Sequence, residues 1–86
     1  MKRTLVFSDE AWDDYQYWQD TDRSQMRRIN LLIKDIRRSP YQGIGKPEPL
    51  KHQLAGWWSR RIDDEHRFLY RVTEHAIEIA GLRHHY

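Results

Sequence analysis

The chain has 86 residues, enough for one small domain that we expect to span residues 1–86, and without cysteine it has no disulfide or thiolate metal site. No apolar run approaches the roughly 20 residues that cross a bilayer, and the N-terminal apolar stretch is too short for a signal peptide. The net charge of +2 marks the chain as neither strongly acidic nor strongly basic. We therefore expect a cytoplasmic protein without a membrane partner.

The charges are nevertheless segregated along the chain. Residues 1–22 carry two basic and six acidic side chains, residues 23–62 carry ten basic and two acidic, and residues 63–86 carry three basic and five acidic. A concentrated basic middle is typical of a protein that binds a polyanion. A solvated, arginine-rich helix face is the ordinary alternative.

The first predicted elements are a strand and a helix. Residues 3–7 form an apolar run that predicts a strand, and Ser8 is a good N-cap because its side chain can accept from the first turn of a helix. Over residues 9–19 an apolar stripe recurs at helical spacing, on Ala11, Trp12, Tyr15 and Trp18. Aromatic residues at this spacing are far more often core than a base-stacking platform, so we assign the stripe to the core.

A second helix, capped by Asp20 or Thr21, is expected to run to about Arg38. Its buried stripe is Met26, Ile29, Leu32, Ile33 and Ile36. Leu31 falls off this stripe and is a candidate for a contact with a partner. The residue before Pro40 avoids helical angles, which ends the helix, and the short link between the helices predicts an antiparallel hairpin.

The second half of the chain predicts strands. Residues 41–50 contain two glycines and two prolines, which indicates a loop, and residues 51–54 are expected to form a short strand. Aromatic and β-branched residues from Trp57 to Val72 predict two strands folded across an acidic turn, and residues 76–82 predict another. One strand, two helices and then three or four strands indicate an α+β domain with a mainly antiparallel sheet and the helix pair on one face.

The length of the acidic turn decides which arginines meet. A two-residue turn places Arg60 opposite Arg67, whereas a three-residue turn places Arg61 there. Like charges directly opposite each other are unfavourable, so such a pair would gain from an anion between the two guanidinium groups. We expect these residues to line the open face of the sheet together with Arg83. Solvated arginines on an outer face are the alternative interpretation.

Glu48 lies between two prolines. Pro49 confines Glu48 to extended backbone angles, and Pro47 fixes its own φ. A carboxylate on such a stiff segment loses little freedom when it acts, which suits a positioned general base. The alternative is a loop carboxylate paired with nearby lysines.

The chain closes on two histidines and a tyrosine. Adjacent strand residues point to opposite faces, so alternation from Arg83 would put His85 on the arginine side and His84 on the other. Imidazole titrates near neutrality and can donate or accept a proton. No histidine spacing here indicates a metal site.

Taken together, these motifs resemble those of the YoeB toxins of the RelE/ParE superfamily. The resemblance covers nearly the whole chain, through residues 10–15, 17–19, 45–52, 58–62, 65–67 and the terminal pair His85-Tyr86. The family usually has tyrosine where this chain has His84. We expect this difference to matter little.

The resemblance implies a RelE-like microbial ribonuclease fold and a ribosome-dependent endoribonuclease that cuts messenger RNA in the A site, with no metal or cofactor. The implied catalytic residues are Glu48, Arg67, His85 and Tyr86, and the implied substrate-binding residues are Lys51, His52 and Arg61. Glu48 would take a proton from the RNA 2′-hydroxyl, His85 would protonate the leaving oxygen, Arg67 would hold the phosphorane charge, and Tyr86 would stack on or orient the RNA.

The same resemblance implies the toxin of a type II toxin–antitoxin system, with a YefM-type antitoxin as partner. A homodimer is left open. Two other functions fit the fold class. One is a non-enzymatic toxin that inhibits DNA gyrase, and the other is an RNA-binding module without chemistry.

Overall fold

Two helices pack on one face of a five-stranded sheet in the computed structural model, which describes residues 2–84. In chain order the elements are β1 Thr4–Phe7, α1 Asp9–Thr21, α2 Arg23–Arg38, β2 Glu48–Pro49, β3 Trp58–Arg61, β4 Arg67–Val72 and β5 Ala76–Gly81, with a 3₁₀ turn at His52–Leu54. No helix in this part of the chain is long and apolar enough to span a membrane.

The sheet has the strand order β1-β5-β4-β3-β2. β1 runs parallel to β5, which the crossover through the helix pair allows, and every other neighbouring pair is antiparallel. The predicted α+β class, the mainly antiparallel sheet and the helices on one face are confirmed.

The helix caps are partly as predicted. Ser8 caps α1, its Oγ accepting from the N–H of Ala11 at 3.1 Å. The cap of α2 is Asp22, whose Oδ1 accepts from two N–H groups of the first turn, so the predicted caps at Asp20 and Thr21 are wrong. Those two residues form the last turn of α1 instead, where the Thr21 hydroxyl donates to the Tyr17 carbonyl.

The core lies between the helices and the sheet. Its buried residues include Ala11, Trp18, Ile29, Leu32, Ile36, Phe68, Tyr70, Ile77, Ile79 and Leu82. Trp12 stays 48% exposed and covers the edge of the core, with its ring stacked on Tyr15 at 5.8 Å between centroids. The assignment of Trp12 to the buried stripe was therefore wrong. Leu31 is 52% exposed on the outer side of α2, as its position off the stripe predicted.

Residues 41–54 differ from the prediction in two ways. Glu48 and Pro49 form a short edge strand rather than loop, which proline permits because an edge strand needs no donor on its outer side. Residues 51–54 close a 3₁₀ turn instead of a strand, since Leu54 N–H donates to the Lys51 carbonyl at 3.1 Å.

Arg60 is fully buried and is the largest polar group inside the molecule. A guanidinium carries five N–H groups. In Arg60 they donate to Asp35 Oδ2 at 2.6 Å, Ile44 O at 3.1 Å, Ser39 O at 2.7 Å, Gln42 O at 2.9 Å and the Tyr70 hydroxyl at 3.2 Å. Every donor is satisfied, so the buried charge ties together α2, the following loop and β4.

Asp35 is the partner that balances this charge. Its carboxylate also accepts from Ile44 N–H at 3.0 Å and from Arg38 at 2.6 Å. Burial alone would raise the pKa of Asp35, but the hydrogen bonds from Arg60, Ile44 and Arg38 outweigh it and lower that pKa. Gly43 lets the loop approach so closely that a Cβ there would lie 2.0 Å from Asp35 Oδ2.

We expect Asp35→Asn to destabilise the protein by roughly 3–5 kcal/mol, because it leaves the Arg60 guanidinium buried without its counter-charge. Urea denaturation at neutral pH measures this change. Asp13→Asn, at an exposed position of α1, is the matched control and should change stability by no more than about 0.5 kcal/mol.

Because the folded-state pKa of Asp35 is lowered, the stabilisation that its carboxylate provides is present above about pH 4 and is lost as pH falls through that lowered value. The difference in free energy of unfolding between wild type and Asp35→Asn should therefore decrease as the solution becomes acidic. An equal difference at every pH would contradict the role of the Asp35 carboxylate as the counter-charge of Arg60.

Candidate active site on the open face of the sheet

The register of the β3–β4 hairpin decides between the two arginine pairings. Arg61 lies opposite Arg67, and Ile62 N–H donates to the His66 carbonyl at 3.0 Å, which leaves a three-residue turn at 63–65. The three-residue alternative is therefore confirmed. Arg60 points into the core instead and takes no part in the open face.

Asp63 organises this turn. Its Oδ1 accepts from the N–H groups of Glu65 at 2.9 Å and His66 at 2.6 Å, and its Oδ2 accepts from Gln25 of α2 at 2.7 Å. Burial would raise the pKa of Asp63, but these hydrogen bonds outweigh it and lower that pKa. Arg67 Nη1 in turn donates to the Asp63 carbonyl at 2.7 Å, so the turn and this guanidinium hold each other in place.

Glu48 lies on the same face as these arginines. Glu48 pairs with Ser59, Arg61 follows Ser59 by two residues, and Arg61 pairs with Arg67. Residues directly opposite in an antiparallel pair, and residues two apart along a strand, point to one side. Leu69 pairs with Ser59 and completes this set. We call the face that carries these five residues the open face, since both helices pack on the other one.

The open face combines a buried floor with exposed charges. Ser59 and Leu69 are 8% and 6% exposed, whereas Glu48 and Arg61 are exposed. Glu48 and Arg61 are diagonal neighbours, a relation that places such residues roughly 7–8 Å apart. The face therefore presents one carboxylate beside two guanidinium groups over a small buried floor. Neither floor residue was predicted, although alternation from Arg61 along β3 could have indicated Ser59.

Lys51 and His52 lie on the other side of Glu48. β2 leads from Glu48 towards them, while the antiparallel β3 leads away from Trp58 towards Arg61. Both residues are exposed, and His52 has a positive φ of 58°, a conformation that is strained for a residue with a side chain. The structure thus places Lys51 and His52 at the end of the site opposite the arginine pair.

Sequence reasoning placed Lys46 near Glu48 but did not include it among the substrate-binding residues. The Gly45 carbonyl accepts from Arg61 N–H at 2.7 Å, which fixes Lys46 beside the arginine end of the open face. Lys46 is exposed and also has a positive φ, of 52°. Its position just before the proline-braced segment was the one signal that could have indicated it.

The end of the chain departs from the predicted alternation. β5 ends at Gly81, so residues 82–84 do not continue the alternating pattern. Arg83 does not line the open face, because its guanidinium lies 3.8 Å from the ring centroid of Tyr17 on α1. The ring of His84 lies 5.6 Å from that of His66. The predicted catalytic residues His85 and Tyr86 lie outside the described residues.

A concave surface of about 730 Å³ lies elsewhere, along the outer side of α2. It is lined by Lys2, Asn30, Leu31, Ile33, Lys34, Asp35, Arg37 and Arg38, and we call it the α2 groove. Among residues 2–84, none of the predicted catalytic or substrate-binding residues lies in it. Within residues 2–84, histidine and acidic side chains nowhere form a group of three suited to bind a metal ion.

The fold and the cationic face define the class of the protein. A model of the "YoeB-like toxin of bacterial type II toxin-antitoxin system" matches residues 7–86 of the chain, and its helix pair and mixed five-stranded sheet match those of a solved YoeB structure. The chain belongs to this YoeB family.

Individual relatives agree over almost their full lengths. The toxin YoeB of Escherichia coli K12 is 58% identical over 82 residues, which are 95% of this chain and 98% of the relative. The YoeB dimer from Staphylococcus aureus superposes with a TM-score of 0.94 at 44% identity and full coverage of both chains. YoeB in a heterotetrameric YoeB–YefM complex from the same organism superposes with a TM-score of 0.91, also at 44% identity and full coverage.

The Arg61–Arg67 pair predicts an anion site. Phosphate should stabilise the wild type, by about 1.4 kcal/mol when its concentration is tenfold above the dissociation constant, which raises Tm by several degrees in a chain of this size. Arg61→Gln should lose this gain while being no less stable without phosphate, since it removes one of two like charges that face each other. Thermal unfolding at constant ionic strength measures both. Arg23→Gln, at the exposed start of α2, is the control and should respond like the wild type; an equal response of all three proteins would contradict the pairing.

Proposed function

We propose that this YoeB-family toxin is an endoribonuclease that cuts messenger RNA in the ribosomal A site and thereby stops translation. The observation that carries the proposal is the shared face of Glu48, Arg61 and Arg67. A carboxylate beside two fixed cations suits transfer of an RNA phosphate, in which one group removes a proton and others stabilise negative charge. The reaction is internal to RNA, since the 2′-oxygen is the nucleophile.

Glu48 is the proposed general base. The two flanking prolines and the pairing with β3 hold its backbone extended, so its carboxylate is presented with little loss of freedom. It accepts the proton of the 2′-hydroxyl as the 2′-oxygen attacks the adjacent phosphorus. The bond from phosphorus to the 5′-oxygen then breaks, which leaves a 2′,3′-cyclic phosphate on one fragment.

The proposed acid is His85, which protonates the departing 5′-oxygen, with Tyr86 stacked on the RNA. The support is the anchorage of the preceding residue, because the His84 carbonyl accepts from Arg67 N–H at 2.9 Å. The last two residues are thus joined to a peptide group that is bonded to the arginine end of the open face. Arg67 and Arg61 stabilise the charge on the pentacoordinate phosphorus, and Lys51 and His52 bind the RNA on the far side of Glu48.

The ribosome is the proposed source of substrate alignment. Glu48, Lys51, His52 and Arg61 are all exposed, so the open face offers cations but no walls that would hold an RNA strand in line. Alignment of reacting atoms supplies a large share of catalysis, so we expect weak cutting of free RNA. This dependence also places the activity in the cytoplasm.

A YefM-type antitoxin is the proposed protein partner, as in the Staphylococcus aureus complex. The α2 groove supports a partner of acidic, amphipathic character. Lys2, Lys34, Arg37 and Arg38 surround the exposed Leu31 there, and Arg37 Nε is buried without a hydrogen-bond partner among the described residues. An acidic segment that folds on binding would satisfy both the charges and the apolar floor. We also propose that the protein forms a homodimer, because the similar YoeB from Staphylococcus aureus is a dimer.

Glu48→Gln should lower cleavage of ribosome-bound message by roughly 10²–10⁴-fold, the usual contribution of one general base. Because Glu48 is exposed, the change should leave the free energy of unfolding within about 0.5 kcal/mol of wild type. Primer extension on a message translated in vitro measures the cleavage. Glu74→Gln, in the exposed β4–β5 turn, removes one carboxylate far from the site and should cut like the wild type.

The outcomes separate the proposal from its two competitors. Equal cutting by wild type and Glu48→Gln would remove Glu48 from the mechanism. Growth arrest without new 5′ ends in any message, together with loss of gyrase supercoiling, would indicate a gyrase-inhibiting toxin. RNA binding with neither effect would leave a binding module only.

A further inference from the structure

The last described residues are held by paired backbone hydrogen bonds. Leu82 N–H donates to Asp14 Oδ2 at 3.0 Å, and the Leu82 carbonyl accepts from Trp18 Nε1 at 2.9 Å. Two residues later, His84 N–H donates to His66 Nδ1 at 2.8 Å, and the His84 carbonyl accepts from Arg67 N–H at 2.9 Å. Leu82 is therefore held by α1, and His84 by the hairpin turn and the start of β4.

The residue between these anchors is fixed by its side chain. The Arg83 guanidinium lies over the Tyr17 ring at 3.8 Å from the centroid, a close cation–π contact. His84 itself has a positive φ of 66°, a strained conformation for a residue with a side chain. Such a conformation persists only where its surroundings hold it, and for His84 those surroundings are the bonds to His66 and Arg67.

His66 is suited to hold this peptide group. It is only 9% exposed, and its ring packs edge-on against Trp18 at 4.9 Å between centroids. Its own N–H is bonded to Asp63, so its backbone is part of the ordered turn. Because Nδ1 accepts a hydrogen bond, the neutral ring carries its proton on Nε2, which lies 3.7 Å from the Glu65 carboxylate.

We propose that His66 is a positioning residue for the reaction. Through Nδ1 it holds the His84 peptide in its strained conformation, and so sets the point from which His85 and Tyr86 extend. The part played by His85 rests on the proposed function, whereas the anchorage of His84 does not. His66 touches neither RNA nor the reacting atoms and acts only through the peptide of His84.

The test compares substitutions that differ in where they place an acceptor. In His66→Asn, Oδ1 is two bonds from Cβ, as Nδ1 is in histidine, so it can accept from His84 N–H. In His66→Gln the acceptor is one bond further out, and in His66→Ala there is none. All three lose the ring that packs on Trp18, so the packing loss is common to them.

The rate at which ribosome-bound message is cut should depend on whether the side chain at position 66 can accept the hydrogen bond from His84 N–H. We expect His66→Asn to keep kcat within about threefold of wild type, whereas His66→Gln and His66→Ala should lose roughly 10²-fold, since displacement of a catalytic group by about 1 Å can cost that much. KM should stay within about threefold throughout, because His66 does not contact RNA. Equal losses in all three variants, or a loss confined to KM, would overturn the positioning role.

A second measurement does not depend on activity. In the isolated wild type, the ¹⁵N shift of His66 should show an unprotonated Nδ1, and exchange of the His84 amide should be slowed in wild type and His66→Asn but not in the other two variants. If the wild type cuts no message, the proposed function is wrong. Amide exchange still tests whether His66 holds the His84 peptide. Fast His84 exchange in the wild type, or equal exchange in all four proteins, would contradict it.

Discussion

The fold depends on the buried ion pair between Arg60 and Asp35. Arg60 places a guanidinium where water cannot reach it, and taking an ion out of water costs several kcal/mol unless its hydrogen bonds are replaced. Asp35 supplies the counter-charge, and three backbone carbonyls of the loop after α2 supply further acceptors. The loop that satisfies Arg60 is the one that leads into the proline-braced Glu48. The hydrogen bonds that Arg60 needs in the core thus fix the loop that positions Glu48, the candidate general base, on the surface.

Neighbouring arginines have opposite roles because they lie on opposite sides of one strand. Arg60 faces the helices and is structural, whereas Arg61 faces the open side and meets Arg67. The two-residue period of a strand separates these environments without any change of residue type. Along the same hairpin, Asp63 orders the turn that both receives the Arg67 guanidinium and presents His66 to the end of the chain.

Much of this arrangement could be predicted from local pattern. Periodicity identified both helices and the main strands, and turn length reduced the hairpin to two registers. The choice between them could not be made, because it required knowing that Asp35 would be buried opposite Arg60. Asp35 follows Leu32 by three residues and so falls on the apolar stripe of α2, which was the available signal for a buried ion pair. The expectation that Arg83 lines the open face was wrong because it assumed a strand that ends at Gly81, after which Leu82 bonds to Asp14 and Trp18.

We propose that the open face directs the RNA 2′-oxygen onto its own phosphate without help from a metal. The most direct measurement is the end-group structure of fragments cut from a translated message in the presence of EDTA, by mass spectrometry of the RNA. The account predicts a 2′,3′-cyclic phosphate upstream of the cut and a 5′-hydroxyl downstream. A 3′-hydroxyl paired with a 5′-phosphate would show that water rather than the 2′-oxygen attacked, and would contradict the account.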